Sequence, residues 1–118
     1  MEHIYLDFEE KQQGDVAILA PIGKMMGGPD TNEVHVRVKN FLNKGIKKII
    51  IDLERVKWLN SSGIGTLVSC LHSAEAQGAK LCVVNLSGKS ESVFFMTKLI
   101  DVFAHYPSVA DAVKAYSA

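Results

Sequence analysis

Hydrophobic positions change period several times along the chain, and those changes divide it into strands and helices. Asp15 to Ile22 is apolar almost throughout and predicts a strand, with Pro21 near its end because proline supplies no ladder donor. Ahead of it Ile4, Leu6 and Phe8 alternate with polar residues, the period-two pattern of an edge strand running from Ile4 to Phe8. Lys47 to Leu53 carries Ile49-Ile50-Ile51 between Gly45 and a polar turn, and such a β-branched run predicts a central strand covered on both faces. From Ser61 to Gln77 the period becomes helical: Ile64, Leu67, Val68, Leu71 and Ala74 share one stripe, and Gly78 stands at the C-cap position. Lys80 to Leu86 is a second buried run. Strand, helix and strand thus follow in order, and a right-handed crossover makes the two strands parallel.

A helix is also expected after Pro29, with Asp30 or Thr31 as its cap, Val34, Val38, Phe41 and Leu42 as its inner stripe and Gly45 closing it. Ser90 to Leu99 predicts a short helix, and Ser108 to Tyr116 another, with Val109, Ala112, Val113 and Tyr116 at helical spacing. The whole reads as one α/β domain over residues 1–118, with a mixed, mostly parallel sheet of four to five strands and about four helices.

Composition narrows the chemistry. The 118 residues carry 13 Lys plus Arg against 13 Asp plus Glu, a formal net charge of zero, whereas a nucleic-acid surface needs a basic excess on one face. No apolar run approaches the ~20 residues of a spanning helix, so membrane insertion is not expected. Met1 to Asp7 lacks the cationic and apolar regions of a secretory signal, which predicts a cytoplasmic protein. Cys70 and Cys82 fall in apolar segments and read as reduced core thiols. His3, His35, His72 and His105 lack pair spacing, so neither a metal site nor a cofactor is expected.

The informative stretch is Asp52 to Gly65, DLERVKWLNSSGIG, which puts two hydroxyls and two glycines where a central strand hands over to a long helix. In open α/β sheets the crevice beyond the carboxyl ends of the strands is the usual working edge. The first N–H groups of a helix lack partners and carry partial positive charge, so a phosphoryl group on a serine there is tolerated. The plainer reading is that Asn60, Ser61 or Ser62 only caps the helix, worth ~1 kcal/mol. Gly63 and Gly65 each weaken a helix start by roughly 1 kcal/mol relative to Ala, and close approach of another backbone or protein supplies a reason for them. Asp52 can reach Ser61 across the turn, but a carboxylate and hydroxyl without an orienting histidine are a poor basis for catalysis. Met25 and Met26, beside flexible glycines, either offer an adaptable apolar contact surface or fill the end of the core. A lone Trp after a buried strand usually packs under the next helix, and Trp58 is assigned to the core on that ground.

These residues resemble the STAS domain of anti-sigma-factor antagonists. The likeness rests on Asn60-Ser61-Ser62-Gly63-Ile64-Gly65, the Gly14-Asp15-Val16 strand start, Gly23, Gly78 to Asn85 and the Met96 to Phe103 segment. The family's usual form is Asp-Ser-Ser-Gly-Leu-Gly, with the first serine phosphorylated. The resemblance implies that Ser61 is the acceptor, and the partner-binding rim expected around it comprises Asn60, Ser62, Gly63 and Gly65 of the signature together with Met25 and Met26, read as an apolar contact surface from their own chemistry. It also implies an anti-sigma factor that is itself a serine kinase as the partner, a serine phosphatase to reverse the step, and no enzymatic activity in this chain. Two departures are visible: Asn60 stands where the family most often has Asp, and Met26 where it commonly has Asp. The competing expectation is a constitutive STAS adaptor in a signalling or membrane-transport assembly, in which the serines only cap.

Overall fold

The computed structural model describes residues 6–86 and 101–117. They form β1 (Leu6–Gln13), β2 (Val16–Met25), α1 (Gly28–Asn43), β3 (Lys48–Asp52), β4 (Val56–Leu59), α2 (Ser61–Ala76), β5 (Lys80–Val84), β6 (Ala104–Tyr106) and α3 (Val109–Ser117). The sheet order is β1-β2-β3-β5-β6, with β4 also paired to β2. Among the described residues only the β1–β2 hairpin is antiparallel; its turn holds Gly14 at φ +62°, a backbone region that glycine enters without steric cost. The α/β architecture expected from the alternating periods is the one observed.

Hydrophobic alternation assigns the two faces of the sheet. Ala17, Leu19, Ile49, Ile51, Leu81 and Val83 pack with Val34, Val38, Phe41, Leu67 and Leu71 in the larger core beneath α1 and α2. Val16, Ile18, Ile50, Cys82 and Val84 join Ala112 and Tyr116 of α3 in the smaller one. Ile49, Ile50 and Ile51 are fully buried, which accounts for the unbroken β-branched run of β3.

Several expectations are corrected. Among the described residues the sheet has six strands rather than four to five, because β4 and β6 are short and carry no clear alternation of their own. Three α-helices lie among the described residues; the helix expected over Ser90 to Leu99, and Met96 of the family-like segment, fall outside them, as does Ile4. β1 extends to Gln13 instead of stopping at Phe8, its polar end being exposed as suits an edge strand. Pro21 sits inside β2, in the interval between Val16–Leu19, which pair with β3, and Gly23–Met25, which pair with β4. Neither Asp30 nor Thr31 caps α1. The N-cap is Gly27, at φ +99°, with Pro in the first turn, and the buried Thr31 hydroxyl folds back to accept from the Gly27 N–H (2.8 Å) and donate to its carbonyl (3.1 Å).

Candidate functional site

Chain direction brings the carboxyl ends of β2 and β4 together at the start of α2. Lys24 pairs with Trp58 and Met25 with Leu59, after a register shift at Gly23 and Lys24. Asn60, in extended conformation, is the N-cap of α2, its Oδ1 accepting from the Gly63 N–H at 2.9 Å. The other end of the same amide donates from Nδ2 to the Met26 carbonyl at 3.0 Å, and the Asn60 backbone N–H donates to the Met25 carbonyl at 3.3 Å. An amide can do both; a carboxylate could cap but not donate.

Because Asn60 does the capping, Ser61 and Ser62 are released from it. They are the first two residues of α2 and both are exposed. Among the described residues neither hydroxyl has a hydrogen-bond partner. The two are not equivalent, however. A Cβ built on Gly27 would stand 3.0 Å from Ser62 Cβ and 3.4 Å from its Oγ, so Ser62 lies against the loop between β2 and α1. The first turn of α2 holds no acidic residue, and it presents unsatisfied N–H groups with partial positive charge.

The two glycines have different reasons. A Cβ on buried Gly63 would come 2.4 Å from the Met25 carbonyl oxygen and 2.8 Å from Leu59 Cδ1; the close approach is internal, between the helix and the ends of β2 and β4. Gly63 therefore shapes the rim from beneath and presents no surface of its own. A Cβ on exposed Gly65 would meet nothing within 4 Å. Four residues beyond Ser61, Gly65 shares its face of the helix.

The methionine pair divides. Met25 is fully buried, and as a contact residue it is corrected to core; Met26 is 48% exposed. Strand alternation turns Met25 and Leu59 toward α2 and their neighbours away. The same alternation corrects Trp58, expected beneath the helix: it is 45% exposed while Leu59 is buried. Asp52 does not turn to Ser61, since its Oδ1 accepts from the Glu54 N–H (3.0 Å) and from Asn85 Nδ2 (2.8 Å). Sequence reasoning missed Lys24 and Lys57, both exposed on the strands of this rim; only the β2–β4 pairing, which has no local signature, reveals that they share it.

Charge elsewhere is organised into surface pairs. Arg55 hydrogen-bonds Glu9 at 2.6 Å and thereby lowers the Glu9 carboxyl pKa. Burial lowers the pKa of His35, which bridges α1 to α2 through Ser73 at 2.8 Å. Burial pushes the Cys70 thiol up to about 12 and the Cys82 thiol up to about 11. No described group of His, Cys, Asp or Glu could hold a metal ion, and no described helix is long and apolar enough to cross a membrane.

Comparison with known proteins places the chain in a family and a fold. A family model described as STAS domain matches residues 7–112. A Thermotoga maritima protein named as a candidate anti-sigma factor antagonist is 29% identical over 111 residues, 91% of this chain and 95% of the relative. The crystal structure of a candidate anti-sigma factor antagonist from the same organism superposes with a TM-score of 0.82 at 29% identity, covering 92% of each chain. An anti-sigma factor antagonist from Mycobacterium paratuberculosis superposes at TM-score 0.80 with 19% identity, over 93% of this chain and 92% of that one. The phosphorylated form of the Bacillus cell-fate determinant SpoIIAA gives 0.71 with 17% identity, over 93% and 99%. The last two likenesses are of fold.

Proposed function

This chain belongs to the STAS domain family, whose anti-sigma factor antagonists are non-enzymatic, and on that premise we propose that it is a phosphorylation-switched docking module. Unmodified, it engages an anti-sigma factor that is also a serine kinase through the rim around Ser61 in the cytoplasm; phosphorylation of Ser61 ends the engagement, and a serine phosphatase restores it. The observation that carries this reading is the division of labour at the turn. Asn60 satisfies the helix end, leaving the Ser61 hydroxyl exposed at the mouth of α2, while Ser62 rests against Gly27. In this reading Asn60, Ser62, Gly65 and Met26 are the contact residues around the acceptor, and Gly63 sets the helix against the strands beneath it.

The energetics suit a switch. A phosphoserine adds about −1.5 to −2 charges near neutral pH, which the helix N-terminus offsets within the domain. A partner surface fitted to a neutral hydroxyl has no such compensation, so the complex is lost while the fold remains. Incubation with candidate kinases and ATP, followed by mass-spectrometric mapping, tests this. One phosphate at Ser61 is expected; no modification by any cognate kinase would favour the constitutive adaptor instead.

A further inference from the structure

Resting on the reading of the Ser61 rim as a docking surface, we propose that the partner presents to it an acidic segment with an apolar anchor, which seats on Trp58 and Met26 between Lys24 and Lys57. The two large hydrophobics are 45% and 48% exposed, an unusual placement for a tryptophan and a methionine. They are brought together by the sheet: Lys24 is the cross-strand neighbour of Trp58, and Met26 follows directly on Met25, the neighbour of Leu59. Trp58 lies three residues before Ser61, at most about 11 Å of chain, so the patch and the acceptor belong to one rim.

Charge chooses the occupant. Lys24 and Lys57 are both exposed, and among the described residues neither forms an ion pair, in contrast to Arg37, Lys48 and Arg55. Asp30 sits in the first turn of α1, where the helix end already favours its charge. The rim therefore offers two uncommitted cations around an aromatic and a flexible thioether, a surface complementary to carboxylates flanking a leucine-like side chain. Two lysines on a chain of zero net charge are too few for a lipid surface, where stable attachment takes a larger basic cluster. The same charges give the switch its sense, because phosphate on Ser61 neutralises the lysines and repels the acidic segment.

Trp58 is the only tryptophan of the chain, so its fluorescence reports occupancy directly. The full chain is titrated with a 15-residue Glu/Leu amphipathic peptide, a Lys/Leu peptide of the same pattern, a Glu/Ser peptide, and phosphatidylglycerol vesicles. The Glu/Leu peptide should shift Trp58 emission to the blue and bind at least tenfold tighter than the other peptides, weakening as salt is raised. Lys24→Glu with Lys57→Glu should cost a further tenfold with an unchanged melting curve. Equal binding of the Lys/Leu peptide, an unaffected double variant, or tighter binding to the vesicles overturns the proposal. Ser61→Asp separates the two readings: weakened peptide binding supports both, whereas unchanged binding leaves the acidic-partner surface standing and removes the switch.

Discussion

Adding one methyl group at each of two glycines in the same helical turn should move stability in opposite directions. Alanine is favoured over glycine in a helix by roughly 1 kcal/mol, so propensity alone predicts a gain at both sites. At Gly63 the new Cβ would lie 2.4 Å from the Met25 carbonyl oxygen, about 1 Å inside ordinary contact. Because that atom is backbone, relief requires α2 to back away from β2. Such overpacking costs about 1–3 kcal/mol, and it stretches the Asn60 bonds to Met25 and Met26 (3.3 and 3.0 Å), each worth about 1 kcal/mol. The net expectation for Gly63→Ala is a loss of about 2 kcal/mol. At Gly65 nothing stands within 4 Å, and the gain of ~0.5–1 kcal/mol should survive. For a chain of 118 residues the unfolding entropy converts 1 kcal/mol to about 4 °C. Thermal unfolding followed by circular dichroism should thus place Gly63→Ala about 8 °C below the parent and Gly65→Ala about 2–4 °C above it. A Gly63→Ala protein melting at or above the parent would refute the close approach of α2 to the strand ends.

Other outcomes follow from the same contacts. Gly65→Ala, though more stable, should weaken the partner complex by about tenfold, or ~1.4 kcal/mol, because the methyl stands on the face shared with Ser61; calorimetry against the cognate kinase checks it. Thr31→Val, which strands the Gly27 N–H and carbonyl, should cost about 1–2 kcal/mol in urea unfolding, and Asn60→Ala a similar amount through the lost cap. Asn60→Asp should cost less, retaining the bond to Gly63 but not the one to Met26, with faster amide exchange in the loop from Met26 to Gly28. Both thiols have folded-state pKa values raised above the ordinary 9.0, to about 12 and about 11, so the folded state holds protons that the unfolded chain releases. Their contribution is complete below pH 9 and is lost as pH rises toward 11–12, at up to ~1.4 kcal/mol per pH unit per thiol; urea midpoints at pH 7, 9 and 10 should be level and then fall.

What the sequence carried was what local pattern can carry. Ile49 to Ile51, and the stripe from Ile64 to Ala74, are each decided by burial against a layer whose period is written into the segment itself. β4 was hidden because its existence depends on the tail of β2 extending beyond β3 to meet it; nothing in Val56 to Leu59 announces that pairing. Once the pairing is hidden, so is the outward turn of Trp58, the split between Met25 and Met26, and the company of Lys24 and Lys57. The start of α1 shifted for a related reason: Thr31 looks like a cap, but its hydroxyl is spent closing the loop onto Gly27. The serine turn was legible as a junction, while the choice among Asn60, Ser61 and Ser62 as cap needed coordinates, since all three side chains are chemically able to do it.

The most direct measurement is the affinity of the cognate anti-sigma kinase for this chain before and after stoichiometric phosphorylation at Ser61, by calorimetry under matched salt. At least a tenfold loss of affinity is expected, in a domain whose melting temperature is unchanged. Equal affinity of the two forms would contradict it.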